Sequence, residues 1–291
     1  MKLFKFQDAS LACVVASSLL LSSCALKYKE SYLVKGIPAA APAISSMQAE
    51  FPGYQISELK IPVSDGEHLY SMRFMRPDAK ATVLYFGGNM YRVGTFGRPT
   101  LNAYKDVPVN LVLVDHRGYG ASSGTPTVAT LMSDAVEVYD GLRSDPAFKA
   151  KPMIVHGQSL GSFLAGHVAK ERKLDGLVLE SSVTTTEAWV DYMKMQQPFW
   201  KRMWVRKISI DGALAGGGNL PVVKSLDEPV LILVGEKDSS TPIVFSKELF
   251  AAVSPQVTNK KLVIVPDAGH NNSTLSRDFR EAMKSFVQSL Q

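Results

Sequence analysis

Six short, nearly continuous apolar runs punctuate the chain, at residues 81–86, 110–114, 152–155, 176–179, 229–234 and 261–265. A strand with one wet face alternates apolar and polar side chains, so unbroken runs of this length suit strands covered on both faces. The gaps between them hold helix-like stretches such as 128–142, 159–170 and 276–290. Two alternating segments, 56–63 and 68–75, flank the turn-rich Ser64, Asp65 and Gly66, which predicts a β-hairpin at the start of the domain. The pattern predicts an α/β fold, with a mostly parallel sheet of about eight strands flanked by helices. Open sheets of this kind bind ligands at the carboxyl ends of their strands, so the residues just after each run hold the chemistry.

Composition narrows the class without adding a function. With 291 residues, 46% hydrophobic and 20% charged, the chain has the make-up of one sizeable globular domain, and collagenous, coiled-coil and wholly disordered readings fail. The net charge of +5 comes from scattered Lys and Arg with no basic run interleaved with aromatics, so nucleic-acid binding is not expected. The two cysteines, Cys13 and Cys24, cannot build a Cys-rich zinc site or a disulfide framework.

Residues 1–23 read as a signal peptide. Lys2 and Lys5 give a positive start, and residues 11–21 form an apolar stretch too short to span a bilayer comfortably. The sequence Leu21, Ser22, Ser23, Cys24 resembles the bacterial lipobox, in which the cysteine becomes the lipidated mature N-terminus. That resemblance implies acyl chains of the palmitate type at Cys24 and a membrane anchor in the bacterial cell envelope. Ala25 after the cysteine implies outer-membrane sorting, facing the periplasm, if the host is Gram-negative. Residues 24–55, with an Ala/Pro stretch and little periodicity, are expected to be a tether, and residues 56–291 the folded body.

Gly157, Gln158, Ser159, Leu160 and Gly161 form a GxSxG sequence between an apolar run and a helical stretch. Glycines at both ends permit a sharp strand-to-helix turn that lifts the serine hydroxyl above the sheet edge, although a glycine-rich turn with a serine helix cap has the same letters. A serine hydroxyl is a poor nucleophile near neutral pH and needs a base, and the base needs an orienting carboxylate. Of five histidines, His270 alone lies downstream of Ser159 in a loop after a strand. Asp238 follows the run at 229–234, and Glu236 and Asp267 are further possible partners for the imidazole. The chain order Ser159, Asp238, His270 is that of the α/β-hydrolases.

Four motifs in order then carry a resemblance to the α/β-hydrolase fold family. They are the GxSxG itself, Asp115 to Gly124 resembling a DxRGYGxSxG segment, Gly235 to Asp238 with the trailing Pro242, and Gly269, His270, Asn271. The resemblance is strongest to the branch with small esterases, acylglycerol lipases, protein depalmitoylases and prolyl-oligopeptidase relatives. It implies Ser159 as nucleophile, His270 as base, Asp238 as the preferred acid, and the backbone amides of Asn89 and Leu160 as the oxyanion hole. Relatives often carry HGN where this chain has Gly87, Gly88, Asn89. Asp115 and Arg117 are expected to brace loops.

The implied activity is hydrolysis of carboxylic esters or thioesters through an acyl-enzyme, with a small-molecule or lipid-like acyl ester as substrate and no metal or organic cofactor. A serine peptidase and a catalytically silent binding protein of the same fold are the alternatives. Residues 184–224, between the sixth and seventh strands, exceed what a βα connection requires and contain Trp189, Trp200 and Trp204. This insertion is expected to act as a lid over an apolar acyl pocket, or to pack on the body.

Overall fold

The computed structural model describes residues 25–204 and 207–291, so Cys24 and the signal-like segment lie outside the described residues. The elements run β1 (Ala25–Tyr28), α1 (Glu30–Leu33), β2 (Ile37–Pro38), α2 (Ile44–Glu50), β3 (Gln55–Pro62), β4 (His68–Met75), β5 (Ala81–Phe86) and α3 (Val93–Tyr104). They continue with β6 (Val109–Val114), β7 (Tyr119–Gly120), α4 (Val128–Ser144), α5 (Pro146–Lys149), β8 (Met153–Gln158), α6 (Leu160–Glu171) and β9 (Gly176–Glu180). The last third holds α7 (Thr186–Met195), α8 (Phe199–Trp204), β10 (Lys207–Ile210), α9 (Leu220–Ser225), β11 (Val230–Gly235), α10 (Ile243–Ala252), β12 (Lys260–Val265) and α11 (Arg277–Gln288).

The main sheet has eight strands in the order β12, β11, β9, β8, β5, β6, β4, β3. The β3–β4 hairpin and the β4–β6 pair are antiparallel, and the remaining pairs are parallel. Every residue of β5, β6, β8, β9 and β11 is buried, because helices cover both faces there, whereas the sixth apolar run, expected to be covered likewise, forms the edge strand β12 and is buried only at Val265. The edge strand β3 instead alternates, as a half-solvated strand should. One core cluster joins α4 and α6 to one face of the sheet, and a second joins α3 and α11 to the other.

The stretch expected to be a loose tether is packed onto the body. β1 lies parallel to β10, with Ala25 opposite Lys207, and β2 lies parallel to β7. Met47 of α2 is 3% exposed, and Tyr54 and Ile56 join it in the core. The Gln48 side chain fixes the join, accepting from the Ile56 amide at 3.1 Å and donating to the Tyr54 carbonyl at 2.6 Å. Its few apolar anchors are irregularly spaced because each meets a different element, which leaves no period to read.

Candidate functional site

The strand β8 ends at Gln158 and α6 begins at Leu160, leaving Ser159 alone at the junction with φ of 53° and ψ of −115°. Such a positive φ is strained for a residue with a side chain, and the surroundings must hold it. A Cβ on Gly161 would lie 1.9 Å from the Phe86 carbonyl oxygen, and one on Gly157 would lie 2.1 Å from that of Gly161, so only glycine fits at either place. The Ser159 amide donates to the Glu180 carbonyl at 2.9 Å, and the Ser159 carbonyl accepts from Ser162.

His270 Nε2 stands 3.0 Å from Ser159 Oγ, across 111 residues of chain. Its Nδ1 stands 2.9 Å from Asp238 Oδ2 and 3.1 Å from Oδ1, so Nδ1 carries the proton donated to the carboxylate and Nε2 presents a lone pair to the hydroxyl. Asp238 Oδ1 also accepts from the amides of Ser240 and Thr241, and Oδ2 accepts from the Thr241 hydroxyl. Burial pushes the Asp238 carboxyl up, but the hydrogen bonds from His270 and Thr241 outweigh it and hold the group below its ordinary range. The alternatives fall away on geometry. Asp267 is 82% exposed and pairs with Lys237 at 2.6 Å, while Glu236 accepts from the Asp267 amide. Gln158, which the motif left without a role, donates from Nε2 to the His270 carbonyl at 3.1 Å and so helps place the histidine loop.

Leu160 opens α6 directly after the serine, and Asn89 shares the cavity wall with Ser159 and His270. The Asn89 side chain accepts from the Tyr119 hydroxyl at 2.8 Å, which anchors the loop that carries it. Where HGN-bearing chains have a histidine in this loop, buried His116 at the end of β6 reaches across instead and donates from Nε2 to the Gly87 carbonyl at 2.8 Å. Burial holds its pKa below the ordinary value, so it braces the loop as a neutral ring. Asp115 accepts from the amides of Val93 and Ala121, and Arg117 bridges Asp134 and Asp65, which ties the neighbouring loops together as expected.

A family model described as Hydrolase_4, serine aminopeptidase S33, matches residues 77–214, a span that contains Ser159 and ends before Asp238 and His270. Human alpha/beta hydrolase domain-containing protein 17B is 26% identical over 211 residues, covering 72% of this chain and 67% of the relative. The uncharacterized protein YfhR of Salmonella typhi is 26% identical over 254 residues, covering 80% of this chain and 82% of its own. Among solved structures, the Pyrococcus furiosus esterase Pf2001 superposes with a TM-score of 0.66 at 17% identity, covering 88% of this chain and 99% of that one. The chain is a serine hydrolase of the α/β-hydrolase fold.

In this serine hydrolase a cavity of about 320 Å³ opens beside Ser159 and His270. Its apolar wall is made by Tyr91, Phe96, Pro99 and Leu275, from the loop after β5, from α3 and from the loop after His270. No residue of the 184–224 insertion lines it among the described residues, so the expected lid over the acyl pocket is not where the insertion sits. Trp189 Nε1 of the hydrolase instead donates to the Ser240 carbonyl at 3.0 Å, and the Tyr192 hydroxyl donates to that of Ser239 at 2.9 Å. The insertion therefore buttresses the loop that carries Asp238. The α3 wall escaped the sequence reading because Gly94, Gly97 and Pro99 depress helix propensity there, and Pro99 stands inside the helix.

Proposed function

We propose that the hydrolase cleaves carboxylic esters or thioesters by two-step acyl transfer at Ser159. The observation that carries this reading is the continuous link from Ser159 Oγ through His270 to Asp238, at 3.0 and 2.9 Å. His270 takes the Ser159 proton as the hydroxyl attacks the acyl carbonyl, and Asp238 stabilises the imidazolium that forms. The amides of Asn89 and Leu160 stabilise the tetrahedral oxyanion, each such donor contributing about 2.7 to 4 kcal/mol in comparable sites. The imidazolium then protonates the leaving alcohol or thiol, and water repeats the sequence on the acyl-enzyme. A largely apolar cavity beside the serine suits an acyl group, and the esterase named in the Pf2001 structure has the same fold.

Fluorophosphonate labelling of the purified protein tests the claim. Labelling that survives in Ser159→Ala, or is absent from the wild type, overturns it. The aminopeptidase description of the matching family model supports a second reading, a peptidase. A panel of esters, thioesters and aminoacyl amides, with Ser159→Ala as blank, separates the two.

We further propose a lipid anchor at Cys24 and residence in the bacterial cell envelope, on the outer membrane facing the periplasm in a Gram-negative host. The lipobox-like sequence supports this. Acyl chains contribute about 0.8 kcal/mol per buried methylene, so a multiply acylated cysteine holds durably. Mass spectrometry of the membrane fraction is expected to find an acylated Cys24. An unmodified cysteine there, or unchanged fractionation of Cys24→Ser, refutes it.

A further inference from the structure

Two polar groups in the lining of the cavity have no hydrogen-bond partner among the described residues. Tyr85 makes ring contacts with Tyr91 and His156, at 5.3 and 4.9 Å between centroids, and its hydroxyl bonds to nothing. Glu180 is 1% exposed, and its Oε2 is a buried oxygen without a hydrogen bond. His156 Nε2 comes within 3.2 Å of that oxygen, close enough for attraction but off the axis a hydrogen bond requires. The other nitrogen of His156 is taken by the Tyr104 hydroxyl at 2.5 Å. Two other polar side chains of the cavity lining are engaged: Gln158 holds the His270 loop, and Thr100 donates to the Phe96 carbonyl. Native interiors rarely leave a buried carboxylate oxygen without a hydrogen bond, and the Tyr85 side chain lines the cavity beside it.

The strand register places both groups under the nucleophile. Tyr85 pairs with His156, and Gln158 with Glu180, so the Tyr85, His156 and Glu180 side chains emerge on the same face of the sheet from three adjacent strands. The Glu180 carbonyl is itself bonded to the Ser159 amide. We infer that this floor is a recognition site for the acyl group, selecting acyl chains that carry a hydrogen-bond-donating end, a hydroxyl or an ammonium, read by Glu180 and Tyr85. A hydroxyl donates to the carboxylate while accepting from the phenol; an ammonium donates to both oxygens. Neighbouring strands are about 4.8 Å apart, so an acyl chain of about four to eight carbons reaches the floor from Ser159. The inference rests on Ser159 as the acyl acceptor.

Matched methyl esters ending in a methyl, a hydroxyl or an ammonium test it, over that range of chain lengths. The full-length protein is expected to favour a polar end over the methyl by about tenfold or more in kcat/KM at its best length. A hydroxyl preference that collapses in both Glu180→Gln and Tyr85→Phe assigns the hydroxyl. An ammonium preference that collapses mainly in Glu180→Gln assigns the cation. The readout is a ratio of substrates, so a uniform loss from a weakened fold leaves it unchanged. Titration of the same esters into Ser159→Ala reads the pocket by binding alone, and polar-ended esters are expected to bind tighter there even if the proposed chemistry fails. Equal or better use and binding of the methyl-ended esters overturns the inference, and fluorophosphonate labelling of Ser159 separately decides the chemistry on which it rests.

Discussion

Asp238 and Asp115 are both buried carboxylates, and their surroundings drive them in opposite directions. Asp238 receives hydrogen bonds from His270, Thr241 and Ser240, which stabilise its charged form. Asp238→Asn keeps the shape but removes the charge that holds Nδ1 protonated, and kcat is expected to fall about ten-thousandfold with KM little changed. Steady-state kinetics check this, and a loss under tenfold would remove Asp238 from the mechanism. Asp115 is pushed up to about 6 by burial, which the amides of Val93 and Ala121 and nearby Arg92 only partly offset. Between about pH 4 and 6 the folded chain therefore holds this proton more than the unfolded one, so stability from this group falls as pH rises through that window. Urea unfolding of Asp115→Asn, which does not titrate, is expected to shift in the variant's favour relative to wild type by about 2 kcal/mol between pH 4 and 7. A constant difference over that range contradicts it. Ser159 and His270 were legible as a candidate pair because the roles proposed for them dictate the letters around them, whereas Asp238 stood beside Glu236 and Asp267 until distances separated them. Tyr85 and Glu180 were invisible as site residues because each also reads as an ordinary member of a strand.

At the level of elements, the apolar runs were legible as strands to within about three residues at their ends, and five of the six are buried throughout, whereas β12 lies at the sheet edge and is buried only at Val265. The segment before the hairpin was not, since its contacts are made one at a time with distant elements. A residue in a free tether can be replaced with little effect, yet Met47 is 3% exposed and packed in the core. Met47→Ala is expected to lower stability by about 2 to 5 kcal/mol, measured by urea denaturation. A change within about 0.5 kcal/mol, as for a solvated surface position, would return the segment to the status of a tether. The insertion illustrates the same difficulty from the other side. Its tryptophans and methionines marked it as apolar, but only the hydrogen bonds of Trp189 and Tyr192 reveal that it steadies the Asp238 loop.

Across the whole molecule, the site is drawn from three distant parts of the chain around one sheet. Ser159 follows β8, Asp238 follows β11 and His270 follows β12, so the arrangement exists only when these three strands stand in one sheet. Loss of Ser159 labelling and loss of tertiary circular dichroism are expected to coincide along a urea titration. Labelling that disappears well before the tertiary signal would mean that the β11–β12 side opens on its own. The pairing of β1 with β10 has a further consequence in time. A ribosome delivers Ala25–Tyr28 early, yet their partners at Lys207–Ile210 emerge about 180 residues later. For most of its synthesis the chain therefore carries an open strand edge near its beginning, exposed to whatever else in the cell can pair with it.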